Sequence, residues 1–485
     1  VGFKHSKLAL NIVACFFSLL SVNSLAADWY PWYTGSVRQW MTVSTANSTY
    51  DNFYWTSGSG TNNFILGGPA YSNITNATMN ILGDFNMTFG SAYFLLAEAN
   101  DKTYSKGTLN IKGNAYIQNG ASLYGAGSVD KGQNPTTEAV LNIQGTAYVN
   151  NGSYLVGGGS NQNNHNVQFL INKLVIGDQG IFKTGNSPNG HMTFSGQFND
   201  ITVENGGQFI AHNDSKGLTS TVVIKKTLIF EPGSTLENYK GLVIGSSREN
   251  FVAVGNTVTF DHATVTENMT LAQEQGTINV TGNDYVFADF SQTGGVFNNN
   301  GDVTFNGASL DAGQFINTGS LSFTGDSTVN KVIEGNGAIN IIGGTFVTDH
   351  FENGSVSIQD GVATINQLTE TVHHTMIGGE LHTNVDEIFG SLGVMGNGEL
   401  NVITLGATMP EDIRTTMTEF FKKYIPGFVK ENLDQYATFN GGKIVLKVGS
   451  LTETQVADLT TAFKETFFIR FPKAFPQLSV LWLWA

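Results

Sequence analysis

Few residues in this chain have side chains that could do chemistry together. His373, His374 and His382, with Glu370 and Glu380, form its one histidine-rich patch. Two imidazoles at alternate positions of a strand can meet one metal ion. His373 and His374 are adjacent, however, and adjacent strand residues face opposite ways, so the patch reads as exposed loop residues. Gly325-Asp-Ser327 sets a hydroxyl beside a carboxylate. A serine nucleophile needs a base within reach and a third group to orient that base. No Asp-x-x-His follows downstream, so the tripeptide reads as a turn. In Gly335-Asn-Gly-Ala-Ile-Asn340 and Gly396-Asn-Gly398 the polar groups are amides, and Asn340 has no proton to give as a general acid. A phosphate loop, Gly-x-Ser-x-Gly, Cys-x-x-Cys and the calcium repeat Gly-Gly-x-Gly-x-Asp are all missing. The expectation is therefore no catalytic, cofactor-binding or metal-ligating residue, and no cofactor.

Composition narrows the remaining classes. The 485 residues carry 24 Lys+Arg against 39 Asp+Glu, a formal charge of −15. Only 13% are charged, about half the usual ~25%. A nucleic-acid binder needs a basic patch, and the arginines are only Arg38, Arg248, Arg414 and Arg470. No nucleic-acid partner is expected. A disordered acidic chain would be poor in apolar residues, whereas 40% are hydrophobic and 34 are Phe. With 57 Gly in addition, the chain reads as Gly-rich and β-prone.

Residues 1–26 read as a secretory signal peptide. Lys4 and Lys7 give the positive start, Leu8 to Leu20 the apolar run, and Ser24-Leu25-Ala26 the small-x-small cleavage site. Asn11 and Ser18 interrupt a run already shorter than the ~20 residues a membrane span needs. Cys15 falls inside that run, so the exported chain is expected to lack cysteine and to rely on burial and ladder hydrogen bonds.

Repetition organises the rest. The unit Gly-x-apolar-x-apolar recurs as Gly301-Asp-Val-Thr-Phe305, Gly319-Ser-Leu-Ser-Phe323, Gly337-Ala-Ile-Asn-Ile341 and Gly354-Ser-Val-Ser-Ile358, with glycines 18, 18 and 17 residues apart. Upstream, Leu109-Asn-Ile-Lys-Gly-Asn-Ala-Tyr-Ile-Gln-Asn-Gly120 is nearly copied by Leu141-Asn-Ile-Gln-Gly-Thr-Ala-Tyr-Val-Asn-Asn-Gly152. Turn glycines fall at Gly90, Gly120, Gly152, Gly180, Gly207 and Gly233. Alternation puts one face of each short strand inward, and Gly or Asn turns the chain because both tolerate positive φ. One unit cannot bury its inner face; stacked units can. A sandwich has no need of near-identical 18-residue steps, and a propeller blade takes ~40–50 residues. The fold class expected is all-β, a right-handed parallel β-helix over residues 58–406, with Val303, Leu321 and Ile339 on neighbouring parallel strands.

The ends break the pattern. Residues 27–57 hold Trp29, Trp32, Trp40 and Trp55 and read as an aromatic cap on the first coil, with a sugar or partner platform as the functional alternative. Residues 407–467 read as helix, strand and helix: Pro410 and Glu411 open the first helix, Asn440-Gly441-Gly442 turns into a strand at Lys443, and Thr452-Glu-Thr-Gln455 is a capping box. This small α-rich segment would cap the coils or be an insertion. Residues 468–485 show no regular element.

Taken together, the leader, the thiol-free remainder and repeats such as Phe297-Asn-Asn-Asn-Gly-Asp-Val-Thr-Phe305 resemble the passenger region of bacterial autotransporters (type V secretion), over roughly Ala27 to Leu405. The resemblance implies a β-helical stalk exported via the periplasm to the cell surface or beyond, often an adhesin. It implies as partner a receptor or glycan on a host or neighbouring cell, or a sister chain. Attachment to a membrane would come through a C-terminal barrel that these 485 residues do not contain. β-Helices also include pectate lyases and polygalacturonases, so a secreted polysaccharide lyase or hydrolase is the rival expectation.

Overall fold

The structure, a computed structural model, describes residues 27–29, 39–42, 46–56, 62–67, 75–90, 92–99, 104–128, 136–159, 164–185, 192–211, 218–238, 240–248, 251–265, 269–352, 354–366, 372–382, 392–394, 399–403, 418–419, 421–423, 426–440, 443–447 and 481–483. The chain forms two compact units, residues 1–199 with 206–220 and residues 200–205 with 221–485. Both consist mainly of parallel strands with large stacks of buried aromatic rings, consistent with a parallel β-solenoid.

In the first unit each coil contributes strands to three sides. Asn47–Tyr50, Asn76–Ile81, Ser105–Ile111, Thr136–Val149 and Asn164–Ile176 pair in parallel, in that order. Phe53–Trp55, Phe85–Met87 and Ala115–Ile117 line a second side, which residues 147–149 continue. The third side runs Gln39–Thr42, Asn62–Gly67, Ala92–Ala99, Ser122–Ser128, Tyr154–Gly159, Ile181–Lys183 and Gln208–Ala211. The two near-copies lie directly on one another: Leu109 pairs with Leu141, Ile111 with Ile143, and Ile117 with Val149. Alternate residues are buried, as in the pattern of Ser105–Ile111. The inner columns hold Met79, Leu109, Leu141 and Phe169, all fully enclosed. Phe53 stacks on Phe85 at 4.4 Å between ring centres. Left-handed backbone occurs at Gly120, at Gly152 and, in the second unit, at Gly233 as the repeats predict, but not at Gly90, and at Gln179 and Gly206 where Gly180 and Gly207 were expected.

In the second unit the coil shortens to 18 residues. Val303, Leu321 and Ile339 do stand on neighbouring parallel strands, with Tyr285 before them and Val356 and His374 after. Phe297 stacks on Phe315 at 4.5 Å and Phe290 on Phe305 at 4.6 Å. Two buried amides fasten a corner. Asn299 Nδ2 donates to Asn317 Oδ1 (2.9 Å) and to the Ser320 carbonyl (3.0 Å), and Asn317 Nδ2 donates to the Ala338 carbonyl (3.0 Å). Buried amides tolerate enclosure only when bonded in this way.

Of the four repeated glycines of this unit, Gly354 has the positive φ that a turn asks of it, whereas the other three have a different cause. Gly301, Gly319 and Gly337 have no positive φ; they stand in one column, and a Cβ on each would lie 2.1, 2.1 and 2.3 Å from the carbonyl oxygen of Gly282, Gly301 and Gly319 respectively. Backbone-to-backbone crowding, not turn geometry, selects glycine there. Gly319→Ala is accordingly expected to destabilise by about 1–3 kcal/mol or more, read as a lower urea midpoint.

At the N-terminal end, Phe53 and Trp55 are core residues of a full coil, and Trp29 stacks on Phe53 at 4.8 Å. At the C-terminal end the helix seen is small. Among the described residues it amounts to 418–419, 421–423, a 3-10 turn at Lys430–Asn432 and Leu433–Tyr436. Asn440 and Lys443 close a hairpin between Ala437–Asn440 and Lys443–Lys447. Leu481–Leu483, expected to be irregular, is a short strand beside Lys443–Lys447. Residues 1–26 with Cys15, Trp32 and the expected helix from Thr452 lie outside the described residues. No helix among the described residues is long and apolar enough to cross a membrane.

Candidate functional site

Of the residues singled out for chemistry, the described ones meet only as the pair His382 and Glu380. His374 lies on Val372–Met376, registered on Val356, and is fully buried, not in an exposed loop. Its phase in the 18-residue repeat points it inward among apolar residues. His382 stands instead on the column of Thr364, its ring hydrogen-bonded to the Glu380 carboxylate. Glu370 and the His373 side chain lie outside the described residues. Among the described residues no three His, Cys, Asp or Glu converge to hold a metal ion.

Asp326 and Ser327 are fasteners of one corner. The Ser327 hydroxyl donates back to the Gly325 carbonyl at 3.0 Å, and the Asp326 carboxylate accepts the Thr345 N–H at 2.9 Å. Asn340 donates to the hydroxyls of Ser320 and Ser322, both at 3.3 Å. Asp326 and Asn340 are committed to the neighbouring coil, and Ser327 to its own turn.

What the stacking does assemble is a set of outward polar columns. Identical phases in successive coils bring like residues above one another. Asn110 donates to Asn80 at 2.9 Å, Asn298 to Asn279 at 2.8 Å, and Asn199 to Asn172 at 2.6 Å. At one turn the side-chain oxygen of Asn52 accepts the N–H of Asp84, Asp84 that of Asn114, and Asn114 that of Thr146, at 2.8–2.9 Å. Thr304, Ser322, Asn340, Ser357 and Thr375 form a further column. Tyr116 and Tyr148 stack at 5.2 Å with rings nearly parallel. These surfaces present amide and hydroxyl groups at the strand spacing of ~4.8 Å.

Charge enters at few points. Lys106 pairs with Glu138 at 3.0 Å and, with Tyr104, holds that carboxyl below its ordinary range. Ser246 and Arg248 do the same for Glu274. Lys331 reaches under a corner: its Nζ donates to Gln292 Oε1 (2.6 Å) and the Ala312 carbonyl (3.0 Å), and burial brings the ammonium down to about 8. It thereby caps a buried pair, since Gln292 Nε2 donates to Gln273 Oε1 at 3.0 Å.

Sequence reasoning missed one group. Ser105, Thr137 and His165 stand in register on three successive coils and are fully enclosed. The signal was present: Ser105-x-Gly107-x-Leu109, Thr137-x-Ala139-x-Leu141 and His165-x-Val167-x-Phe169 share one phase. Comparison with protein-family models, with curated proteins and with solved structures finds no match for this chain.

Proposed function

We propose that this chain is an exported surface stalk, similar to an autotransporter passenger, that adheres or displays without catalysis. In this reading the coils wind right-handedly, residues 1–26 direct export, and the partner is a receptor or glycan on another cell, or a sister chain. The observation that supports it best is the makeup of the outward columns. They are mostly Asn, Ser and Thr, many of them bonded from coil to coil, with Asp84 a single carboxylate in its ladder, where a lyase or hydrolase would need clustered carboxylates with a cation or a general acid. Rigid, pre-ordered amides and hydroxyls lose little entropy on meeting a neutral polar ligand. An acidic chain would also repel anionic partners.

The test is to offer the purified full chain a panel of neutral oligosaccharides and of polyuronate. Binding to neutral members is expected, and it should persist from about 0.05 to about 0.5 M salt, because screening weakens contacts between charges and not those between amides and hydroxyls. Sustained release of reducing or unsaturated ends from any member would overturn this reading in favour of a secreted polysaccharide lyase or hydrolase.

A further inference from the structure

We propose that the column Ser105, Thr137 and His165 is an acid-sensitive latch, in which proton uptake at His165 releases the start of the strand Asn164–Ile176 from its neighbour. His165 is the second residue of that strand and is 1% exposed. Its Nδ1 is hydrogen-bonded to the Thr137 hydroxyl. Its Nε2 is buried with no hydrogen-bond partner among the described residues, as is the Ser105 hydroxyl two coils away. The neutral ring satisfies one nitrogen and leaves the other in an apolar enclosure. The imidazolium would carry N–H on both, one of them with no acceptor, and would require Thr137 to accept where it can otherwise donate. A buried cation without a counter-charge is costly.

Among the described residues no charged group faces the ring to offset that cost. On the paired strand Thr136–Val149, Glu138 is turned outward in its ion pair with Lys106, and Tyr148 is stacked on Tyr116. Tyr124 on Ser122–Ser128 and Tyr154 on Tyr154–Gly159 are at least partly exposed. Asp200 on Met192–Val203 accepts from Thr227 at 2.6 Å. The one buried carboxylate of this corner among the described residues, Glu98, stands on Ala92–Ala99, which packs against the strands of Ser105 and Thr137 rather than against that of His165. The segment leading into the strand, Ser160-Asn-Gln-Asn163, carries no charge. Burial alone thus lowers His165 from 6.5 to about 4.

The sign follows from proton uptake. Between about 6.5 and about 4 the opened strand binds a proton that the closed one excludes. The latch is therefore fully closed above pH 6.5 and loosens as the pH falls towards 4, with no further loss from this group below that. Hydrogen exchange on the full chain, corrected for the intrinsic effect of pH, reads this directly. Protection of residues 164–170 is expected to drop by up to about 300-fold between pH 7 and pH 4, tenfold per pH unit of the interval. The strand Ser320–Phe323, remote from any buried histidine in its own coil, should keep its protection. His165→Gln should flatten the slope at 164–170. Where that variant does not fold, the contrast between the two wild-type strands still decides. Equal protection at both pH values, equal loss in both strands, or an unchanged slope in His165→Gln would each overturn the proposal.

Discussion

Deleting residues 302–319 is expected to leave the second unit folded, whereas deleting residues 302–310 is expected to destroy it from that point onward. The longer deletion removes one whole coil. Gly301 then precedes Ser320 as Gly319 does now, and Leu321 comes to rest on Tyr285 in the place of Val303. Phe323 follows onto Phe287 in the place of Phe305, and Ile333 onto Phe297 in the place of Phe315. Every side chain keeps its face, because a whole coil preserves both the alternation and the corners. Each coil touches only its neighbours, so stability falls by one coil's share and cooperativity survives. The nine-residue deletion leaves a half coil. At ~3.3 Å per residue it spans about 30 Å, against the roughly 60 Å that 18 residues trace. It cannot go round, and the strands Asp302–Phe305 and 308–310 leave their partners bare. Limited proteolysis with mass mapping of residues 302–403 separates the outcomes. Resistance after the long deletion and cleavage after the short one are expected. Equal sensitivity of the two would refute the stacked-coil arrangement, even though the larger deletion removes twice as much chain.

Much of this arrangement is legible in the sequence for a physical reason. A coil that must lie on its predecessor repeats its period, its inward phase and its crowded corners, and all three are local patterns. That is why Gly301, Gly319 and Gly337 mark the period even though their role was misread: sequence spacing records that glycine is needed, but not whether a positive φ or a carbonyl 2 Å away demands it. His374 shows the converse. Judged by its neighbours His373 and Glu370 it belongs to a polar loop. Judged by its phase after Leu321, Ile339 and Val356 it belongs inside, and phase prevails because burial acts on the whole column. His165 could have been found in the same way, by aligning it with Thr137 and Ser105. Gly206 and Gln179 could not, since a one-residue shift of a turn depends on the loop that follows it. The strand Leu481–Leu483 pairs with a segment more than thirty residues earlier and leaves no periodic trace.

The largest single-residue effect is expected at Phe305. It is fully enclosed, stacked on Phe290 at 4.6 Å and met at 5.9–6.4 Å by Phe287, Phe297, Phe315 and Phe323. These rings come from the coil below, the same coil and the coil above, so Phe305 joins three levels at once. Truncation to alanine leaves a cavity whose walls are themselves held by stacking and cannot easily close in. A buried Phe→Ala typically costs about 3–5 kcal/mol, and the upper part of that range is expected because the lost ring pairs contribute beyond area alone. Phe305→Leu retains more of the volume and should lose less than half as much. Val347→Ala, on the outer face of Thr345–Thr348 and 37% exposed, should stay within about 0.5 kcal/mol. Urea denaturation followed by near-ultraviolet ellipticity, which senses packed rings, would rank the three. A Phe305→Ala effect no larger than that of Val347→Ala would mean that the ring is not enclosed. The coils would then have no common interior to hold them in register.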